Sequence, residues 1–283
     1  MLEDMNEHFF IYNGQYFRKG ERAVSAGNNG LRYGDGLFET MRMQDGRILN
    51  AAFHFERLFS GMNVLQFEIP THFSQRFFED IVNQLLLKNS IQQHARIRLM
   101  IFRGDSNNFD SEKNATNYII ETSPLAGKLE LNKDGLTVDI FPDARKCCDL
   151  FSGLKSNNYL RSVLAGLFAK KNQLDEAIIL NSLERVSETA IANIFIINGN
   201  NIYTPPLSEG CVAGTMRRWM LEKFSLKNYL VSERALPIDE LLGADEFFLT
   251  NAIHQIRWVK NFRNKIYRNE KVNEIFKYVQ ENL

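Results

Sequence analysis

From Arg96 to Arg103 the character of the chain changes at every step. Ile97, Leu99 and Ile101 fall on one side of an extended backbone, and Arg98, Met100 and Phe102 on the other. Successive side chains of a strand point to opposite faces, so this pattern predicts a strand. Partners for it lie on both sides in the chain. Phe9 to Phe17, interrupted by Asn13-Gly14, predicts a hairpin that opens the fold. Residues 37–43 and 47–49 predict two strands joined at Asp45-Gly46, and 117–122 predicts another. Asn28-Asn29-Gly30 and Gly34-Asp35-Gly36 are expected to be turns around a short strand. In between, the apolar period switches to the helical one, first at Phe55, Leu58, Phe59, Met62 and Leu65, then at Phe73, Phe77, Ile81 and Leu85.

After Ser123-Pro124-Leu125-Ala126-Gly127 the pattern restarts. Strands are expected at 136–141, 176–181, 193–198 and 246–250. Helices are expected at about 157–172, after Gly214, and near 270–282. The reading is a two-domain α+β (or α/β) chain: 1–122, a linker at 123–127, and 128–283. The 283 residues are 44% hydrophobic and 24% charged, with a formal net charge of zero. No charge excess favours nucleic acid or an anionic membrane. The 22 phenylalanines are most simply core packing. Three cysteines (Cys147, Cys148, Cys211) do not make a disulfide framework, although the adjacent pair leaves a vicinal bridge open. Glu3, Asp4 and Glu7 do not read as a signal peptide, and no apolar run reaches membrane-spanning length. A cytoplasmic location is expected, with no metal site, no nucleic acid and no membrane partner.

Four later segments carry the chemistry: Lys155-Ser156-Asn157-Asn158-Tyr159-Leu160, the run from Arg185 to Phe195, Tyr203 to Leu207, and Gly210 to Arg217. Singly they are ordinary. Lys155 reads as a solvated surface charge, Glu188 as a loop or helix-start carboxylate, and Gly214-Thr215 as a common loop-to-helix junction. Together they offer an amine able to form an imine, a carboxylate able to hold a ring nitrogen protonated, and a glycine turn into a helix suited to a phosphate. Those are the needs of pyridoxal phosphate (PLP).

With the upstream runs Leu31 to Thr40 and Phe53 to Leu58, the chain resembles the class-IV aminotransferase family of PLP enzymes (fold type IV). The resemblance runs from about residue 9 to about 260. It implies a PLP site between the two domains, a homodimer, and a small-molecule amino substrate. It implies that Lys155 holds PLP through an imine and shuttles protons, and that Glu188 pairs with the pyridinium nitrogen. Arg57 would grip the phosphate together with the backbone N–H groups of Thr215 and Met216 after Gly214. Tyr159 would hydrogen-bond the phenolic oxygen, with Asn193 as a supporting polar residue and Thr250-Asn251 on the strand near the cofactor.

Two departures bear on the reaction. Members that transaminate amino acids often carry Gly-Ile-Thr-Arg where this chain has Gly214-Thr215-Met216-Arg217. They also tend to have Ser-Gly-Thr or Thr-Ser-Thr where it has Thr250-Asn251. Both positions look more like aminodeoxychorismate lyase, which removes an α-proton and eliminates pyruvate to leave 4-aminobenzoate on a folate route. The alternative is an aminotransferase for branched-chain or D-amino acids. The remote one is a non-catalytic scaffold, against which Lys155, Glu188 and Arg57 are all present. Arg96, Arg98 and Arg103 are candidates for a substrate carboxylate or plain solvated strand arginines, with Arg98 on the face of Met100 and Phe102. Arg32 and Tyr33 are further candidates to line the site. Asp105 to Asn108 is expected to be a loop.

Overall fold

The computed structural model describes residues 8–105, 115–127 and 129–283. The acidic N-terminal residues and Ser106–Asn108 discussed above lie outside them. Two compact units emerge. One takes the chain up to Lys128 together with Lys155–Asn158; the other comprises Leu129–Leu154 and Tyr159–Leu283.

The first unit is built on an antiparallel sheet. Its elements are β1 (Phe9–Tyr12), β2 (Gln15–Arg18), α1 (Asn29–Tyr33), β3 (Gly36–Gln44), β4 (Arg47–Ile48), α2 (Ala51–Val64), α3 (Gln75–Lys88), β5 (Ala95–Arg103) and β6 (Thr116–Pro124). Among the described residues the strand order is β2-β1-β6-β5-β3-β4. The expected hairpin turns at Asn13 and Gly14, both with positive φ. β5 lies at the centre of the sheet, with Ile97, Leu99 and Ile101 fully buried and Arg98 and Met100 half-buried. Ser123 and Pro124, placed in the linker by the sequence reading, are the last residues of β6 and pair with Arg96 and Ala95.

The expected turn–strand–turn at 28–36 is different. Asn29–Tyr33 is a single helical turn, because the Asn28 side chain accepts a hydrogen bond from the Leu31 N–H at 3.2 Å. In α3 the buried stripe is Phe78, Val82, Leu85 and Leu86, rotated from the predicted one so that Phe77 and Ile81 are half-buried. Many of the phenylalanines meet here. Phe55, Phe59, Phe73, Phe77, Phe78 and Tyr118 pack ring to ring at centroid separations of 4.9–6.5 Å. Tilted and offset rings at such distances add to what their buried area contributes.

The second unit contains β7 (Leu136–Ile140), α4 (Leu160–Lys171), β8 (Glu176–Leu180), β9 (Val186–Thr189), β10 (Asn193–Asn198), β11 (Asn201–Thr204), α5 (Thr215–Glu222), β12 (Leu230–Glu233), α6 (Ile238–Gly243), β13 (Glu246–Asn251), β14 (Gln255–Phe262), β15 (Lys265–Ile266) and α7 (Glu270–Asn282). Its sheet is mixed, in the order β12-β11-β10-β13-β14-β7-β8-β9, with β15 on β14. Both faces are covered. One carries Val138, Ile178, Leu180, Ile194, Ile196, Leu241 and Phe247, and the other Phe141, Ala165, Ala169, Ala177 and Ile179. Strands buried on both faces lose the apolar–polar alternation. That is why β9, with every residue buried, carries no legible pattern.

The segment Lys155–Asn158 follows the second unit's β7 in sequence but belongs to the first unit. The Phe38 N–H donates to the Lys155 carbonyl at 2.9 Å, and the Asn157 N–H donates to the Gly36 carbonyl at 2.8 Å. Leu37 and Ser156 form an antiparallel bridge. The lysine is therefore added to the edge of β3 and is not part of the C-terminal domain as the chain order suggested. A side chain at Gly36 would strike the Asn157 amide and lie 2.5 Å from the Ile101 carbonyl. We expect Gly36→Ala to cost ~1–3 kcal/mol by overpacking. Urea denaturation of the two proteins checks this, and an unchanged midpoint would contradict the tight approach.

Candidate functional site

In the first unit the cations and acids gather around Phe38, Glu39, His54 and Arg57. Glu39 is buried on β3. Arg57, on α2, donates to it through a fork: Nε to Oε1 at 2.8 Å and Nη2 to Oε2 at 2.5 Å. His54, one helical turn earlier, lies with Nδ1 2.6 Å from Oε2. An ionised carboxylate only accepts, so Nδ1 carries the proton. Burial pushes the Glu39 carboxyl up. The charge of Arg57 and the hydrogen bonds from His54 and Arg57 outweigh it and bring the group down to about 2. Burial holds His54 below the usual imidazole range, and the charges of Arg57 and Lys155 act the same way against the pull of Glu39. His54 is thus a neutral donor at neutral pH. Lys155 is half-buried, with Nζ 4.5 Å from the centroid of the Phe38 ring. The Arg98 guanidinium lies 4.4 Å from the same centroid. One aromatic ring therefore holds two cations at the root of β3.

The other candidates in this unit are placed differently. Arg96 is exposed. Arg103 is committed to Asp35 at 2.7 and 2.9 Å and stacks 4.3 Å from Phe67, so it is a structural arginine. Arg32 and Tyr33 are exposed on α1, and Arg32 donates from Nε to the Ala26 carbonyl at 3.0 Å.

In the second unit a second buried carboxylate organises its surroundings. Glu188 lies on β9, its side chain 5% exposed. Its Oε2 accepts from the Val212 N–H at 2.8 Å, and its Oε1 meets Lys146 Nζ at 2.5 Å. The Val212 carbonyl in turn accepts from Asn193 Nδ2 at 2.9 Å. A side chain at Gly214 would overlap Asn193 Oδ1, so the Asn193 amide would have to move to admit one. Gly214 is the N-cap of α5, which opens with Thr215 and Met216, both buried. Across the sheet Asn193 is in register with Thr250 on β13. Thr250 Oγ1 and Ser187 Oγ are buried and have no hydrogen-bond partner in the structure. Asn251 is turned to a local task, its Oδ1 accepting from the N–H groups of Ile253 and His254 at 3.0 and 2.8 Å. Tyr159, half-buried, sits at the N-cap of α4.

The three cysteines are free, Cys147 and Cys148 exposed and Cys211 buried. Burial pushes the Cys211 thiol up to about 12, so it is not a nucleophile. Among the described residues no cluster of His, Cys, Asp or Glu could hold a metal ion, and no helix is long and apolar enough to cross a membrane.

This constellation has relatives. Residues 36–262 match the amino-transferase class IV family. A protein of Methanocaldococcus jannaschii with a provisional branched-chain-amino-acid aminotransferase name is 30% identical over 275 residues, 95% of this chain and 93% of that one. The aminodeoxychorismate lyase of Bacillus subtilis is 29% identical over 251 residues, 86% of this chain and 83% of its own. Among solved structures, a branched-chain aminotransferase from Thermoproteus uzoniensis superposes with a TM-score of 0.86 at 20% identity, covering 97% of this chain and 94% of that one. The chain belongs to the class IV aminotransferase family and has its α+β, type IV fold. It is an enzyme, and the family's cofactor is PLP.

The residues present suit that cofactor. Glu188 is an oriented acceptor buried out of water. The close approach at Gly214 brings the backbone that opens α5 beside Asn193, and the Thr250 hydroxyl is buried with no partner in the chain. Glu39, His54 and Lys146 were given no role by the sequence reading. The signal for Glu39 and His54 lay in their place within the two upstream runs; Lys146 carried none.

Glu39 links this geometry to pH. Its folded value lies below the unfolded carboxyl value of about 4.3, so its stabilisation is present above that value and is lost as pH falls towards about 2. Removing one partner of a buried pair leaves the other charge uncompensated. We expect Glu39→Gln to cost ~3–5 kcal/mol at pH 7, with the gap to the parent narrowing as pH falls below about 4. Denaturant titrations of both proteins across that range check this, and a gap that does not vary with pH would contradict it.

Proposed function

We propose that this enzyme is an aminodeoxychorismate-lyase-like member of its family, releasing pyruvate and leaving 4-aminobenzoate. The observation that carries this reading is the Thr250-Asn251 pair beside Asn193, with Met216 in the first turn of α5. Thr250 presents a buried hydroxyl without a partner in the chain, and Asn251 shapes the turn that follows it. The Bacillus subtilis relative, 29% identical, supports the same choice.

PLP, when bound, supplies an electron sink for negative charge at the substrate α-carbon. The roles of the protein follow from its own groups. Lys155 holds the cofactor and moves the α-proton, its backbone fixed by two hydrogen bonds to β3. Arg57 serves the phosphate with a guanidinium that Glu39 has already oriented. In the second unit, the N–H groups that open α5 after Gly214 serve an anion at the positive end of a helix. Glu188 accepts from the ring nitrogen, Tyr159 from or to the phenolic oxygen, and Asn193 holds the Val212 backbone in place. Arg98, half-buried on β5 and sharing the Phe38 ring with Lys155, is the group for a substrate carboxylate.

One observation favours the second reading, an aminotransferase for branched-chain or D-amino acids. The relative that matches 95% of this chain at 30% identity carries a provisional aminotransferase name. The two readings separate directly. Incubated with aminodeoxychorismate, the PLP-loaded enzyme should form 4-aminobenzoate and pyruvate; with amino acids and 2-oxoglutarate it should form no new amino acid. The opposite pattern establishes the aminotransferase. Under either, borohydride should fix a pyridoxyl group on Lys155, and Lys155→Ala should lose both the label and turnover. A label elsewhere, or surviving activity, would remove the assignment.

We further propose a homodimer, the commonest closed assembly. Leu160, Val163, Leu164 and Leu167 are spaced to lie on one face of α4 and are 42–68% exposed. An apolar stripe of that kind marks a protein contact. Light scattering should give twice the chain mass, and the double change Leu164→Glu with Leu167→Glu should give the single chain. A parent protein of single-chain mass would contradict the proposal.

A further inference from the structure

We infer that Lys146 is a positioning residue for Glu188: it keeps that carboxylate ionised and aimed, so that the acid can serve a ring nitrogen. The inference rests on the PLP reading above and adds a residue to it.

Lys146 reaches Glu188 through the backbone. Its N–H donates to the Leu180 carbonyl at 2.9 Å, its carbonyl accepts from the Ser182 N–H at 3.0 Å, and it forms a parallel bridge with Asn181. The chain before Lys155 is thereby fixed to the end of β8, the neighbour of β9. Glu188 opposes Ile179 across that pair. The lysine side chain is 14% exposed and the carboxylate 5%. Two opposite charges so far out of water hold only if each compensates the other.

The carboxylate has about four acceptor positions on its two oxygens. Lys146 takes one on Oε1 at 2.5 Å and the Val212 N–H one on Oε2 at 2.8 Å. The two bonds approach different oxygens, so the carboxyl plane cannot rotate without breaking one of them. What remains is acceptor capacity in a fixed direction. Without the lysine, burial favours the neutral acid, whose proton would compete with a ring N–H. Lys146 is not a rival to Lys155 as the cofactor amine. Held as an ammonium against Glu188, it has no lone pair to offer.

The test uses the full-length protein with Lys146→Met, Lys146→Arg and Lys146→Met/Glu188→Gln. Infrared spectra at neutral pH read the carboxyl group itself. Lys146→Met should gain a protonated-acid carbonyl band that is missing from the parent, from Lys146→Arg and from the double variant. In parallel, titration with PLP should show affinity reduced by about tenfold or more in Lys146→Met, the scale at which outer partners of a bound group act, and restored in Lys146→Arg. A Lys146→Met protein that folds, shows no acid band and binds PLP as the parent does would overturn the inference and leave the PLP reading standing. Failure of the parent to take up PLP or to be labelled at Lys155 would overturn that reading, and the positioning role with it, whatever the infrared shows.

Discussion

Two backbone hydrogen bonds determine where the Lys155 amine stands. The Phe38 N–H holds the Lys155 carbonyl, and the Gly36 carbonyl holds the Asn157 N–H. A lysine side chain has four rotatable carbons and gains little orientation from its own covalent structure. Here its root is part of a sheet edge and its shaft runs to the Phe38 ring. The strand that supplies Phe38 also supplies Glu39, which points to the core and orients Arg57. One short stretch, Gly36 to Glu39, therefore fixes an amine, an aromatic ring and an arginine. The absence of a side chain at Gly36 lets the lysine segment come that close.

The two units solve the same electrostatic problem in the same way. Each surrounds a buried carboxylate with a cation and a neutral N–H donor. Glu39 has Arg57 and His54; Glu188 has Lys146 and the Val212 N–H. Burial alone would raise the Glu39 carboxyl and favour its neutral form. For Glu39 the outcome is explicit, since the carboxyl is brought down to about 2 in spite of its burial. The choice of cation differs with the task. A guanidinium forks onto both oxygens of Glu39 through Nε and Nη2. An ammonium takes one oxygen of Glu188 as a point charge.

What could be read from the chain follows burial. Arg96–Arg103 was legible because β5 buries one side far more than the other, and the hairpin at Asn13-Gly14 because its turn needs positive φ at two residues. β9 was not, because Val186–Thr189 is buried throughout and has no polar face to alternate with. The turn of helix at Asn29–Tyr33 was hidden by residues that serve equally as turn formers and as caps. The chemistry-bearing residues came from their order along the chain, which the family match over 36–262 bears out at the level of the family. Position by position, the structure brings Glu188, Asn193, Gly214 and Thr250 into one connected set within the second unit.

Lys146 shows why the remainder stayed out of reach. It follows Arg145 in a stretch that reads as surface charge, and it is 42 residues from its partner. Nothing local marks it, since Arg145 beside it does pair with an exposed acid, Glu184. What separates the two cations is where β8 ends. Extended chain anchored at Leu180 and Ser182 turns alternate side chains to opposite sides, so one of two consecutive basic residues faces solvent and the other faces Glu188. A pair of charges that looks redundant in the sequence thus divides into a surface ion pair worth little and a buried one that holds a carboxylate in place. The distinction belongs to the sheet.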